Sequence, residues 1–138
     1  MAIIDMKAMR YINLLDKVSH VKTNKCFQHN NSIFFAVDKR DVSRAIGIGA
    51  INTRMIQDKI GIKVKIIREP EGVSDLKRVV EDIVSPVRFK SIELKDNCVF
   101  ITAGNNQSKA SLIGRDKRRY EELKKIIGDL FNFDLKII

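Results

Sequence analysis

The chain has 138 residues, 44% hydrophobic and 31% charged, with a formal net charge of +9 and a pI of about 9.7. That length holds one average domain or two small ones, and the composition is that of a folded chain rather than a disordered one. The basic balance points toward a polyanionic partner such as nucleic acid or an anionic surface, while the lack of any apolar run near the roughly 18 residues of a membrane span argues against insertion.

Taken in order, Met1-Ala2-Ile3-Ile4-Asp5 lacks the cationic region and apolar stretch of a secretory signal. Asp5 is placed to cap a helix over residues 6–18, with Met9, Ile12, Leu15 and Val18 as its apolar face. A hairpin follows, with strands at 25–28 and 32–37 around an Asn30-Asn31 turn. Next come a short helix over 39–46, a glycine turn, and a longer helix over 51–60 that Gly61 stops. Alternation in 62–67 predicts a strand with Lys63 and Lys65 on one face.

Glu69-Pro70-Glu71-Gly72 breaks both periods and reads as a linker, residues 70–72 at its centre. Ser74 is placed to cap the next helix, whose apolar face is Leu76, Val79, Val80 and Ile83, and Ser85-Pro86 ends it. Strands at 88–95 and 98–103 flank Asp96-Asn97. A helix–turn–helix over 106–127 and a last strand complete the chain.

The second half repeats the first. Arg44-Ala45-Ile46-Gly47-Ile48-Gly49-Ala50-Ile51-Asn52 answers Ser111-Leu112-Ile113-Gly114-Arg115-Asp116-Lys117-Arg118-Arg119, position for position. At the same offset Gly61 answers Gly128, and Ile33-Phe34-Phe35-Ala36 answers Phe100-Ile101-Thr102-Ala103. Four extra residues, Asp129–Asn132, precede the last strand of the second copy. A period of nearly half the chain exceeds that of solenoid repeats, roughly 20–50 residues. The expectation is two α+β domains, residues 1–69 and 73–138, each α-β-β-α-α-β with a three-stranded mixed sheet, packed together because domains of that size are marginal alone.

A β-β-α-turn-α-β unit with an Ile-Gly-x-x-Gly-like turn resembles the prokaryotic-type (type II) KH domain. Two in tandem, with Ile83-Val84-Ser85-Pro86-Val87 leading into the second, resemble the KH pair of the NusA family, and a chain holding only this pair resembles the archaeal NusA-like transcription factors. Bacterial NusA proteins add a polymerase-binding domain and an S1 domain, for which this sequence has no room. The resemblance covers about residues 5–138 and implies a transcription factor binding single-stranded nascent RNA in termination or antitermination, in the cytoplasm, with RNA polymerase as a further partner. Both turns depart from the family pattern: Ala50 and Lys117 stand where the last glycine is expected.

The chemistry such a turn supports is phosphate binding. Glycine without a Cβ lets backbone approach a sugar-phosphate chain, and the following helix aims its first N–H groups at phosphate; the family module clamps about four nucleotides. In the first copy the candidates are Arg44, Ile46, Gly47, Ile48, Gly49, Ala50, Asn52, Arg54, Lys63 and Lys65, with Ile46, Ile48 and Ile51 as an apolar floor for bases. Ile46 reads first as core, and the two lysines equally as the wet face of an edge strand. Ala50 fits the turn if its φ is negative. In the second copy the candidates are Ile113, Gly114, Arg115, Asp116, Lys117, Arg118 and Arg119. Cations crowding a helix start oppose its dipole and make most sense with an anion bound; the plainer reading is a solvated turn.

With seven Phe, two Tyr and no Trp, the chain is poor in the aromatics on which other single-strand readers stack bases. Phe34, Phe35, Phe100, Phe131 and Phe133 read as core. Cys26 and Cys98 read as reduced thiols, and Cys26 with His29 makes at most half of a zinc site. No nucleotide-cradling loop and no acid–base constellation is present, so neither a cofactor nor enzymatic activity is expected. Residues 1–70 hold 13 Lys and Arg against 6 Asp and Glu, and residues 71–138 hold 13 against 11; the two copies do not share the excess charge equally.

Overall fold

The computed structural model describes residues 6–138; the expected Asp5 cap lies outside them. The chain divides into two compact units, Met1–Glu69 and Pro70–Ile138. Each is α+β with one three-stranded sheet, ordered β1-β2-β3 in the first and β4-β5-β6 in the second.

In the first unit, α1 (Met6–Ser19) is followed by β1 (Cys26–His29), β2 (Ser32–Val37), α2 (Val42–Ile46), α3 (Ile51–Ile60) and β3 (Lys63–Arg68). Asn30 and Asn31 both take positive φ, 50° and 60°, the geometry of a two-residue hairpin turn whose twist matches the strands. β1 pairs antiparallel with β2, and β2 parallel with β3, so the sheet is mixed and β2 is central. α1 turns its expected face inward around Leu15, rotated so that Tyr11 replaces Met9 at its edge. Tyr11, Leu15 and Ser19 are buried, while Met9 is half exposed and only Ile12, Leu14 and Val18 pack at the margin. Buried Ser19 is satisfied locally, donating to the Leu15 carbonyl at 2.7 Å and accepting from the Val21 N–H at 3.2 Å. The core also holds Val21, Ile33, Phe35, Val37, Ala45, Ile56 and Val64. Burying such side chains contributes about 1.5–3 kcal/mol each before the entropy of ordering is subtracted.

In the second unit, α4 (Leu76–Val84) precedes β4 (Ser91–Lys95), β5 (Cys98–Thr102), α5 (Asn106–Ile113), α6 (Arg118–Phe131) and β6 (Asp134–Ile137). The pairing repeats: β4 antiparallel to β5, β5 parallel to β6. Ser74 caps nothing: it lies inside a single 3₁₀ turn, Val73–Asp75, and the carboxylate of Asp75 accepts the Glu71 N–H at 2.9 Å. Leu76, Val79, Val80 and Ile83 are buried as expected, with Val84.

The repeat departs from its expected register at the hairpin and at the last helix. The hairpins correspond at an offset one shorter than that of the glycine turns: Asn30-Asn31 matches Asp96-Asn97, all four at positive φ. Phe34 therefore answers Phe100 and not Ile101, and the pairs Phe34↔Lys65 and Phe100↔Lys136 occupy the same place in each sheet. A one-residue slip exchanges the two faces of a strand, so the core positions are Ile33/Val99, Phe35/Ile101 and Val37/Ala103, all buried. The extra residue is Gly104, at φ 96° between Ala103 and the helix cap Asn105. From Asn105 onward the offset of the turns holds, and Asn105 matches Asp38; each cap side chain accepts a backbone N–H, from Ser108 and from Arg40.

The second departure is at Gly128. Gly61 ends α3 in the left-handed conformation at φ 72°, but Gly128 lies inside α6, which runs one turn further to a left-handed cap at Asn132. The four additional residues are one turn of helix, at about 3.6 residues per turn. Of the expected core aromatics, Phe34 and Phe35 are buried, while Phe100, Phe131 and Phe133 are half-buried, the last two stacked at 6.1 Å.

Candidate nucleic-acid interface

Both glycine turns adopt one backbone. The chain leaves α2 through Gly47 (φ 80°, ψ 165°), passes Ile48, and takes two left-handed residues, Gly49 (62°, 25°) and Ala50 (60°, 30°), before α3. It leaves α5 through Gly114 (75°, 176°), passes Arg115, and takes Asp116 (54°, 30°) and Lys117 (60°, 21°) before α6. The first position is open essentially to glycine alone. The third and fourth are left-handed whatever occupies them, so Ala50 does not have the negative φ at which its methyl would be free of strain.

The same side chain crosses each turn. The Asn52 amide donates to the Arg44 carbonyl at 2.9 Å, and Arg119, at the equivalent place in the second copy, donates through Nη1 to the Ser111 carbonyl at 3.0 Å. The first glycine leaves room for that crossing. A Cβ on Gly47 would meet Asn52 Nδ2 and Ile51 Cγ2 at 2.9 Å, and one on Gly114 would meet Arg119 Cγ at 2.7 Å. The N–H groups of Gly47 and Ala50 bond to the carbonyls of Ser43 and Gly47; those of Gly114 and Lys117 bond to Ala110 and Gly114.

Around this shared frame the two turns differ chemically. In the first, Arg54 donates to the Gly49 carbonyl at 2.7 Å, Arg44 pairs with Asp41 at 3.0 Å, and Thr53 donates to the Ala50 carbonyl at 3.0 Å. Its polar candidates are thus engaged with the chain itself. What projects is apolar: Ile48 at the tip is 96% exposed, with Ile51 and Met55 about half exposed behind it. Met55 escapes a sequence reading, although its i+4 spacing from Ile51 is the available signal. Ile46 is half-buried, between its two expected roles.

In the second turn Arg115, Lys117 and Arg118 are exposed and make no ion pair or side-chain hydrogen bond among the described residues, and Asp116 is exposed beside them. The position answering Arg54 is Glu121, in the first turn of α6, and Ile113 is half-buried. The structure therefore gathers Gly114–Arg118 into one cationic tip and assigns Arg119 to the turn's own carbonyl.

Lys63 and Lys65 are on β3, an edge strand, away from the turn in sequence. Lys63 is exposed; Lys65 is half-buried with Nζ 5.5 Å from the Phe34 ring centre. Burial, then the neighbouring Lys63 charge, holds the Lys65 ammonium below the usual lysine range. Lys136 sits over Phe100 in the same way at 6.0 Å. Among the described residues no group of three metal-ligating side chains occurs, and no helix is long and apolar enough to cross a membrane.

Fold and turn together define the class: a chain of two α+β units with mixed three-stranded sheets, each carrying a left-handed glycine turn at the head of a helix. In sequence the chain is similar to archaeal proteins named NusA. It is 27% identical over 120 residues to the probable transcription termination protein NusA of Methanocaldococcus jannaschii, matching 84% of this chain and 63% of that protein. To the protein of the same name from Methanococcus vannielii it is 25% identical over 122 residues, 86% of this chain and 69% of that one. The match thus takes in somewhat under two thirds of the first relative's length. No protein-family model matches. The crystal structure of APE1850 shares the fold with a TM-score of 0.66 at 21% identity, over 98% of this chain and all of that one.

Proposed function

We propose that the chain is an RNA-binding transcription factor of NusA type, not an enzyme. In this reading residues 1–69 and 73–138 are prokaryotic-type KH domains joined by 70–72, and both bind single-stranded nascent RNA in the cytoplasm during termination or antitermination, with RNA polymerase as protein partner. The supporting observation is the doubled turn: two different sequences, Gly47–Ala50 and Gly114–Lys117, hold the same left-handed backbone at a helix start. Left-handed backbone kept through both copies despite Ala50, Asp116 and Lys117 supports the reading, because such strain clusters at working surfaces. The names of the archaeal relatives supply the setting in transcription.

The test is fluorescence anisotropy with labelled single-stranded RNAs of about 12 nucleotides, room for two four-nucleotide footprints and a spacer, from low to physiological salt. Binding at micromolar concentration or tighter, surviving physiological salt and preferring single strands to duplex, supports the reading. Absence of binding, or binding equal for every polyanion and lost by physiological salt, removes it.

A second reading rests on the first turn, where the cations are engaged internally and Ile48 projects almost fully exposed. Here the chain is a scaffold that docks on RNA polymerase or the ribosome with little RNA affinity of its own. Salt dependence separates the two, because phosphate contacts to a single strand give a log-log slope near about −0.7 each.

A further inference from the structure

We propose that Asn52 and Arg119 are positioning residues that lock the two glycine turns from the following helix, and that neither touches RNA. The RNA part of this inference rests on the function proposed above; the locking part does not. Three observations carry it. Each side chain stands five residues after the turn's first glycine, and each donates to the carbonyl three residues before that glycine, at 2.9 and 3.0 Å. Each is the group a Cβ on that glycine would strike, at 2.9 and 2.7 Å. And the contact survives a complete change of chemistry, from a short neutral amide to a long guanidinium, which fits a geometric requirement and not a charge requirement.

The carbonyls of Arg44 and Ser111 belong to the last turns of α2 and α5, where helical carbonyls lack an intrahelical partner. By accepting from the next helix they tie the helices on either side of the turn together. The glycine and the crossing side chain are then one device: the glycine leaves the passage open, the side chain closes the turn through it. Arg119 is thereby set apart from Arg115, Lys117 and Arg118, which are exposed and make no such contact among the described residues. Its cation faces a carbonyl of its own chain.

The test uses the full chain with Arg119→Asn, which transplants the first unit's solution, Arg119→Leu, which removes the donor, and Arg118→Asn as the charge control. Two readouts are taken. The first, hydrogen exchange at the Gly114 and Lys117 amides, needs no RNA. Exchange is expected to rise at least tenfold in Arg119→Leu and to return toward the parent in Arg119→Asn. Unchanged exchange in Arg119→Leu overturns the lock, as does Arg119→Asn behaving like Arg119→Leu. The second is the salt slope of RNA binding. Arg119→Asn is expected to leave it unchanged, while Arg118→Asn reduces it by about 0.7, one single-strand phosphate contact. An equal reduction in Arg119→Asn overturns the assignment of Arg119 away from RNA. If the parent chain binds no RNA, the proposed function fails and the exchange result still decides the lock.

Discussion

At Lys117 the backbone stands at φ 60°, ψ 21°, with Asp116 left-handed just before it. For residues with a Cβ each such conformation costs about 1–2 kcal/mol. The first turn is less strained, since Gly49 fills one of its two left-handed places. Lys117→Gly is therefore expected to raise thermal stability by about 1 kcal/mol while removing one exposed cation, so unfolding temperature and RNA affinity move in opposite directions. Calorimetry paired with anisotropy reads both; a fall in both would mean that Lys117 supports the turn rather than the ligand. Gly47 and Gly114 are legible in the sequence because each follows the same kind of apolar pair, Ala45-Ile46 and Leu112-Ile113, at one offset. The left-handed fourth position is not, because neither alanine nor lysine signals it. The roles of Arg54 and Asn52 are equally hidden: a basic and an amide side chain beside a glycine turn read as ligand contacts, and only distances to the Gly49 and Arg44 carbonyls reassign them.

The helices and strands follow hydrophobic period closely enough that every one of them is anticipated, and the misses occur where elements meet. Gly61 and Gly128 share an offset and look alike in sequence, yet one caps a helix and the other lies within one. Asp129–Asn132 add a helical turn that moves the stop to Asn132, a residue that tolerates the left-handed region. The two glycines should therefore respond oppositely to alanine. Gly128→Ala is expected to stabilise by about 0.5–1 kcal/mol, since the nearest atom a Cβ meets is the Phe133 carbonyl oxygen at 4.0 Å. Gly61→Ala is expected to destabilise by about 1 kcal/mol, at φ 72°, although nothing lies near its Cβ. Urea titrations of both variants check the pair, and a shared sign would refute the assignment of Gly128 to the helix interior. The edge of α1's inward face escapes the sequence for a different reason: Met9 and Tyr11 flank the stripe centred on Leu15, and helical period alone does not say which of them lies inside it.

For the chain as a whole, the proposed function carries a prediction: two weak sites on one molecule gain affinity by effective concentration, about 10²–10⁴ when both engage one strand. Gly47→Asp and Gly114→Asp, each driving a Cβ into the side chain that crosses the turn and adding a negative charge beside it, are expected singly to lower affinity by about that factor, and together to abolish binding. Circular dichroism on each variant keeps a folding defect from being read as a binding one; unchanged affinity in both singles would refute a mechanism that uses both turns. The insertions that separate the copies bear on how such a pair diverges. Gly104 lengthens a connection by one residue outside any element, and Asp129–Asn132 add a whole helical turn, so each leaves the inward faces in phase. Between these seams the turn keeps its shape while its side chains go from Ile-Gly-Ala to Arg-Asp-Lys. Shape and chemistry are in that sense inherited separately: a duplicated module of this kind can change what one copy presents without putting the other, or the fold beneath either, at risk.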